Sequence, residues 1–279
     1  MLLPLGFLGT FLLNNLLKET YSSRKLELEE SIENLLDKNV DLGDYVGIRF
    51  LGISLGNSKI NDKKNIDSEI TAKNVYVGIM PFRSFLKQKW IVKISPKKAA
   101  INIDRDFFKR DESYKNDRIT KKSQSKYELN FNLNKYSDLK FNKAGLKTKV
   151  KGNVIYKSRN RQIIANVKSN FDEKGFLKFK FNTKLNQDFL KLDLFSKGLD
   201  LDNSEYIIGN RKISFKKGTF KSNFKFNKSS KRTFCEGRFS FTNLKIKPED
   251  FAENINSDST RFFCKDNNLI GNSEKLNYG

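Results

Sequence analysis

Apolar residues alternate with polar residues through much of the second half of the chain. In residues 127–247, Leu, Val, Ile and Phe recur at every second position, with Lys, Asn, Ser and Asp between them. A period of two residues is typical of strands with one apolar and one solvated face. No helical pattern in this region offers a cover for the apolar face. We therefore expect an antiparallel sheet that curls, pairs with another sheet, or covers this face with something else.

The predicted fold class is mainly β, with a membrane helix and a short amphipathic helix before a long, curled, repetitive antiparallel sheet that forms an open apolar groove. An acyl chain gains about 0.8 kcal/mol for each CH₂ removed from water, so such a groove could hold lipid without polar specificity. The alternative is a closed sandwich core made of the same residues. The predicted groove lining comprises Phe179, Phe181, Leu190, Leu192, Leu194, Phe224, Phe226, Phe239 and Phe241.

The first 17 residues are apolar but interrupted by Asn14 and Asn15. As a helix they would span about 25 Å, slightly less than a ~30 Å hydrocarbon core. We interpret them as a membrane anchor, with a buried core helix as the alternative. The nearest positive charges follow at Lys18, Arg24 and Lys25, and the positive-inside rule would keep that side in the cytoplasm, against an envelope location. The predicted anchor residues are Leu5, Phe7, Leu8, Phe11, Leu12 and Leu13.

Changes of period and composition predict six segments along the chain. A short helical turn is also expected at residues 82–87, where it would pack Phe85 and Leu86. The segments are a membrane anchor (1–17), an amphipathic helix (18–40), an N-terminal strand module (41–103), a disordered charged loop (104–126), a repetitive β-groove (127–247), and a short helix with a polar tail (248–279).

The composition restricts the chemistry that the chain can perform. The net charge is +22 and histidine is absent, which removes His-based triads and most zinc sites. We find no phosphate loop, nucleophile elbow or metal-ligand cluster, so we predict that the chain is not an enzyme and has no cofactor. Cys235 and Cys264 fit no metal spacing; they could pair in an oxidising compartment or remain two free thiols.

The positive charge would suit an anionic partner such as lipid head groups, nucleic acid or an acidic protein. Lys and Phe interleave at residues 176–181 and 224–226, a combination that also occurs where proteins bind single-stranded nucleic acid. In an alternating strand, however, the Lys and Phe side chains point to opposite faces and cannot meet one ligand. We therefore predict no nucleic-acid partner.

Several glycine-rich and strand-like motifs in the first 110 residues together resemble a known family. They are Val-Asp-Leu-Gly at 40–43, Gly-Ile-Ser-Leu-Gly-Asn-Ser-Lys-Ile at 52–60, Ala-Lys-Asn-Val-Tyr-Val-Gly-Ile-Met-Pro-Phe at 72–82, Trp-Ile-Val-Lys-Ile-Ser-Pro at 90–96 and Ile-Asn-Ile-Asp at 101–104. The chain resembles the N-terminal region of TamB-type proteins of the AsmA-like superfamily, most closely the cyanobacterial and plastid forms.

The resemblance implies an inner-membrane protein whose long apolar β-groove extends through the periplasm. It implies a role in phospholipid transport between membranes or in outer-membrane protein translocation and assembly, with a TamA- or BamA-like barrel as a partner. The chain is shorter than family members, lacks the domain that meets the barrel and is more basic, so we expect a fragment or short paralogue. The alternative function is an anchored structural protein with a closed β core that binds partner strands by edge pairing.

Overall fold

The computed structural model shows a mainly β protein with two α-helices among the described residues. Its strands are assigned to one large sheet that does not close on itself, and the chain divides into unit 1, Met1–Lys135, and unit 2, Tyr136–Gly279. The structure describes residues 3–63, 65, 67–103, 127–141, 146–184, 187–208, 211–230, 232–265 and 268–278.

Unit 1 combines a long helix with short and medium strands. Strands β3 and β4 both pair with β5, β1 pairs with β4, β2 pairs with β3, and β5 pairs with β6; all these pairings are antiparallel. The elements are α1 (Leu3–Leu36), β1 (Asn39–Asp41), β2 (Tyr45–Arg49), β3 (Gly52–Leu55), β4 (Ser58–Asn61), β5 (Glu69–Ile79), α2 (Pro81–Leu86) and β6 (Trp90–Ile103), followed by β7 (Tyr127–Phe141), which ends in unit 2.

Unit 2 is an antiparallel meander with long strands. Its elements are β8 (Leu146–Lys157), β9 (Gln162–Asn170), β10 (Phe176–Lys184), β11 (Phe189–Asp200), β12 (Ser204–Ile208), β13 (Arg211–Lys228), β14 (Thr233–Pro248), β15 (Ile255–Lys265), β16 (Asn268–Glu274) and β17 (Asn277–Tyr278). Pairing proceeds in the order β8, β9, β10, β11, β13, β14, β15, β16. Strand β12 pairs with the beginning of β13, and β17 pairs with β15.

Helix α1 is one continuous helix, not the predicted anchor followed by a separate amphipathic helix. Its polar side chains bind backbone N–H groups at the edges of short strands. Asn14 Oδ1 accepts from the amide of Ile48 on β2 at 3.3 Å. Glu33 Oε1 accepts from the amide of Val40 on β1 at 2.8 Å, and Glu29 Oε1 accepts from the amide that follows β1 at 2.8 Å. The helix is therefore held against the strands of unit 1 by side-chain acceptors.

The prediction of a membrane-spanning N-terminus is contradicted by the structure. Neither α-helix in the described residues combines the length and the apolar character that crossing a bilayer requires. The physical reason lies in α1 itself, where two asparagines interrupt the apolar run and charged residues begin at Lys18. The predicted location, a single-pass inner-membrane protein with most of the chain in the periplasm, is therefore wrong.

Helix α1 packs into the core of unit 1 through the side chain of Tyr21. Its ring is 8% exposed and belongs to a cluster with Leu55 and Val75. Its hydroxyl donates to the carbonyl oxygen of Gly43 at 2.8 Å. Burial, followed by the nearby carboxylates of Glu29, Asp44 and Asp41, raises the pKa of Tyr21 to about 12. The neutral phenol is thus the form that the folded state prefers.

We expect Tyr21→Phe to lower the free energy of unfolding by about 1 kcal/mol at neutral pH, because the Gly43 carbonyl loses its donor. The pKa of the wild-type phenol is higher in the folded state than in the unfolded state. The stability that comes from its protonated form is therefore fully present below about pH 10 and is lost as the pH rises towards about 12. The advantage of the wild type over the variant, measured by urea unfolding, should therefore shrink above about pH 10 and change sign before about pH 12. A constant difference would contradict the assignment.

The predicted helical turn near residue 82 is observed as α2, but its packing differs from the prediction. Phe85 and Leu86 are 84% and 72% exposed, and no residue of α2 is buried. The side chain that faces the sheet is Ser84, whose Oγ accepts from the amide of Ile91 at 3.0 Å. Since Ile91 is fully buried, this hydrogen bond ties α2 to the core through a polar residue and leaves its apolar residues outside.

The C-terminal segment also differs from the prediction. No helix forms between β14 and β15, and the predicted polar tail contains β15, β16 and β17. Glu249 explains the missing helix, because its amide donates to the carbonyl of Lys212 and its carboxylate accepts from the Lys212 amide, which prolongs the β13–β14 pairing. The predicted charged loop at residues 104–126 lies outside the described residues.

Candidate functional site

A row of apolar side chains crosses six strands of unit 2 in register. Cross-strand partners lie on the same face of an antiparallel pair, so the register defines a continuous surface. The members, from β8 to β14, are Val154, Ala165, Phe181, Leu192, Phe226 and Cys235. We call this set the central row.

A second row lies two residues along each strand and has glycine at both ends. Its members are Gly152, Val167, Phe179, Leu194, Phe224 and Gly237. Beyond the central row, Leu190 lies opposite Thr183 and Lys228, where the apolar surface meets a cation. On the other side, Phe239 pairs with Ser222 and Phe262.

The structure therefore brings the nine predicted groove residues to one face of unit 2. Phe224 is 8% exposed, and the other eight are half-buried. This intermediate burial distinguishes the face both from a solvated surface and from a fully closed core, in which most large side chains lose nearly all contact with water. Whether the face binds a ligand stays a prediction.

Six phenylalanine rings form a connected cluster at the β13–β15 end of this face. We call it the phenylalanine cluster; its members are Phe215, Phe220, Phe224, Phe239, Phe241 and Phe262. The closest ring centroids are those of Phe239 and Phe262 at 4.7 Å, and Phe220 and Phe241 at 5.1 Å. Phe224 meets Phe239 edge to face at 5.4 Å, a favourable geometry for aromatic pairs.

The groove prediction omitted Phe262 and the buried serines on the same face. Phe262 was missed because β15 carries little apolar alternation. Ser196 and Ser222 are nearly fully buried, and each hydroxyl donates to a backbone carbonyl of a neighbouring strand, at 2.8 Å to Phe176 and 3.3 Å to Leu194. The hydroxyls are thereby satisfied by the sheet, so these two positions interrupt the apolar lining less than their residue type suggests. The sequence did carry one signal for them, because Ser196 and Ser222 each lie two residues from an apolar residue of the same face.

The opposite face of the same strands carries charged side chains together with aromatic rings, since Phe176 and Phe195 lie there with Lys178 over both rings. Lys180 pairs with Asp193 in the register, while its neighbour Phe181 pairs with Leu192, so the two side chains of this lysine–phenylalanine pair lie on opposite faces. Lys178, Lys180 and Lys191 are exposed. The alternation expected from the sequence is therefore observed on β10 and β11, and the basic side chains do not enter the apolar face there.

A disulfide joins β14 to β15 beside the phenylalanine cluster. Cys235 and Cys264 are bonded, with their Cα atoms 5.7 Å apart. The sequence alone did not decide between a disulfide and two free thiols, because a separation of 29 residues does not fix the distance between the two cysteines. The antiparallel register of β14 and β15 provides the proximity. Cys235 ends the central row, so the bond holds the last strand pair of the apolar face together.

The predicted anchor residues do not form a comparable site. The side chains of Leu5, Phe7 and Leu8 lie outside the described part of the structure. Phe11, Leu12 and Leu13 are described, and all three are exposed on α1.

Comparison with protein-family models, with curated proteins and with solved structures finds no match to this chain. Membership of the TamB-type family therefore stays a prediction. Within the described residues, no group of three or more His, Cys, Asp or Glu side chains could hold a metal ion. The candidate site is thus defined by its geometry, as a half-buried apolar face with a disulfide at its β14–β15 end.

Proposed function

We propose that this protein binds the acyl chains of phospholipids on the apolar face of unit 2 and carries them between membranes. The observation that supports the proposal is the central row, which is apolar on six consecutively paired strands. Strands lie about 4.8 Å apart, so five spacings extend over about 24 Å. One leaflet of hydrocarbon is about 15 Å thick. The row is therefore long enough to lie along an acyl chain.

The half-burial of the face supports a ligand that is apolar and variable. A closed core would leave no surface for a ligand, whereas a fully exposed apolar face would promote aggregation. Each CH₂ transferred from water contributes about 0.8 kcal/mol, so a chain of many methylenes gains enough to bind without a directed hydrogen bond. Because the lining offers few free polar groups, we expect discrimination by chain length more than by head group.

Photo-crosslinking tests the proposal directly. Benzoylphenylalanine replaces Phe181 in one protein and Lys180 in a second, so that the probe occupies adjacent positions on opposite faces of β10. After illumination in cells, adducts are identified by mass spectrometry. We expect phospholipid adducts from position 181 and few from position 180. Adducts confined to the chain at position 181, or equal lipid yields at both positions, would refute an apolar binding face.

We expect Phe181→Asp to reduce phospholipid occupancy at least about tenfold, because a carboxylate in the centre of the row cannot be desolvated cheaply. Occupancy is measured by extraction and lipid mass spectrometry of purified protein. Phe181→Leu, which keeps an apolar side chain, serves as the matched control and should retain most of the lipid. Circular dichroism must show that both variants are folded; unchanged occupancy in a folded Phe181→Asp protein would contradict the proposal.

A second candidate function is edge pairing with partner strands, including strands of outer-membrane proteins. The observation that favours it is β16, which is exposed at all seven residues and whose described pairing is with β15. Its other edge would offer backbone donors and acceptors to an added strand. Hydrogen exchange with a barrel-derived peptide tests this candidate: new protection confined to β16 supports it, and unchanged exchange removes it. A TamA- or BamA-like barrel as a partner remains an expectation of the resemblance.

A further inference from the structure

Six large apolar side chains are exposed together at one end of unit 1. They lie at the β2–β3 turn, on α2, and at the beginning of β6. We call this set the α2 patch; its members and exposed fractions are Phe50 (88%), Leu51 (47%), Phe82 (85%), Phe85 (84%), Leu86 (72%) and Trp90 (61%). Single exposed apolar residues are common on proteins, but contiguous ones mark interaction surfaces.

Backbone hydrogen bonds join the three parts of the patch. The carbonyl of Phe50 accepts from the Tyr76 hydroxyl at 2.8 Å, and the carbonyl of Leu51 accepts from the Ile79 amide at 2.9 Å. These contacts fix the turn beside the residues that lead into α2. Met80, immediately before α2, donates to the carbonyl of Ile91 at 2.9 Å, which places the helix beside Trp90.

The backbone at the turn is itself unusual. Leu51 has φ of +58°, a left-handed conformation that costs a non-glycine residue free energy. Glycine or asparagine would satisfy this turn at less cost and with greater solubility. A strained leucine and an almost fully exposed phenylalanine therefore occupy a turn where stability alone favours small polar residues. Their presence indicates a partner that removes them from water.

The charge around the patch indicates which partner this is. In residues 49–52 and 80–90 the charged residues are Arg49, Arg83, Lys87 and Lys89, all of them basic, and Lys89 is paired with Glu128. Arg49, Arg83 and Lys87 are exposed and lie in or next to the elements of the patch. Exposed aromatic and aliphatic side chains that include a tryptophan and have basic residues beside them match the interfacial layer of an anionic bilayer.

We propose that the α2 patch docks the protein on the surface of a bilayer that contains anionic phospholipid. The apolar side chains enter the interfacial layer, and the basic residues face the lipid phosphates. Phe11, Leu12 and Leu16 of α1 are also exposed. Of these, Phe11 lies three residues before Asn14, which binds the β2 amide of Ile48, so Phe11 is on the side of α1 that faces β2 and extends the apolar surface there. The patch and the basic residues beside it all lie within unit 1.

Trp90 provides a direct test because it is the one tryptophan in the chain. The full-length protein is mixed with vesicles of phosphatidylcholine, or of phosphatidylcholine with phosphatidylglycerol, and its emission and flotation are followed. We expect a blue shift and co-flotation with the anionic vesicles, weakened by added salt. Phe82→Ser combined with Phe85→Ser should weaken partitioning by about tenfold or more, because two aromatic rings no longer leave water.

The matched control carries Leu269→Ser and Leu276→Ser, which remove two exposed apolar side chains from unit 2. It should bind as the wild type does. Equal vesicle binding by the Phe82/Phe85 variant, or no blue shift with anionic vesicles, would overturn the proposal. A blue shift that grows with protein concentration in the absence of lipid would also overturn it, in favour of a second copy of the chain as occupant. Lipid crosslinking at position 181 is an independent readout, so the two proposals can fail separately.

Discussion

Gly237→Ala is expected to destabilise unit 2 by about 3 kcal/mol or more. Gly237 has φ of +92°, a region that residues with a Cβ rarely adopt. A Cβ at this position would lie 2.1 Å from the carbonyl oxygen of Asn223 and 3.3 Å from the Cα of Phe224. Both atoms belong to the backbone of β13, so neither can move aside without breaking the β13–β14 pairing.

Gly198→Ala is the matched control for this prediction. Gly198 is also a strand glycine in unit 2, but a Cβ there would lie 3.8 Å from the Thr219 methyl group, which is ordinary contact. Urea unfolding of the two variants and the wild type, followed by circular dichroism, gives the comparison. We expect Gly198→Ala to stay within about 0.5 kcal/mol of the wild type. Similar stabilities for the two variants would show that the backbone of β14 is not constrained at Gly237.

Removing the disulfide is expected to have an effect of similar size. The bond closes a loop with a sequence separation of 29, for which the chain-entropy relation gives about 3.5 kcal/mol. Cys235→Ser combined with Cys264→Ser should lower the free energy of unfolding by about this amount. The loss should be greatest for β14 and β15, whose pairing the bond fixes. Hydrogen exchange resolved along the chain provides the measurement.

Reduction of the wild type is the control, because it breaks the bond without changing any other atom of the lining. The reduced wild type and the double variant should have the same unfolding midpoint. An oxidised wild type no more stable than the double variant would mean that the bond does not constrain the unfolded chain. Lipid occupancy, measured in parallel, shows whether the apolar face depends on the last strand pair.

The apolar face could be predicted because its chemistry repeats with the period of the backbone. Along β10 and β11, Phe181 and Leu192 are flanked by polar residues, and this pattern alone places them on one face. The register that aligns strands from β8 to β14 is not visible in the sequence, since it depends on turn lengths and on bulges such as the one near Lys217. The sequence pattern therefore predicts which residues of a strand share the apolar face. It does not predict which of them lie opposite each other on neighbouring strands.

The predictions for α1, β15 and the cysteines failed or stayed open for one physical reason. In each case the structure depends on contacts of backbone groups or polar side chains, and the period of apolar residues does not show such contacts. Strand β15 was missed because Ser257 and Ser259, both buried, occupy positions where an apolar residue would have marked the strand. The sequence predicts an anchor in which Asn14 interrupts the apolar run, whereas in the structure the Asn14 side chain accepts a hydrogen bond from the Ile48 amide of β2. The pairing of Cys235 with Cys264 likewise depends on register.

The contacts of α1 also bear on how the protein remains unaggregated. A strand edge with free amides can recruit a strand from another molecule, and proteins protect such edges with side chains, charges or a covering element. Glu33 and Asn14 occupy amides of β1 and β2 with acceptors from the helix. The carboxylate of Glu33 would also have to be displaced and resolvated before a foreign strand could add there. Helix α1 thus makes intermolecular strand addition at these two edges of unit 1 unfavourable.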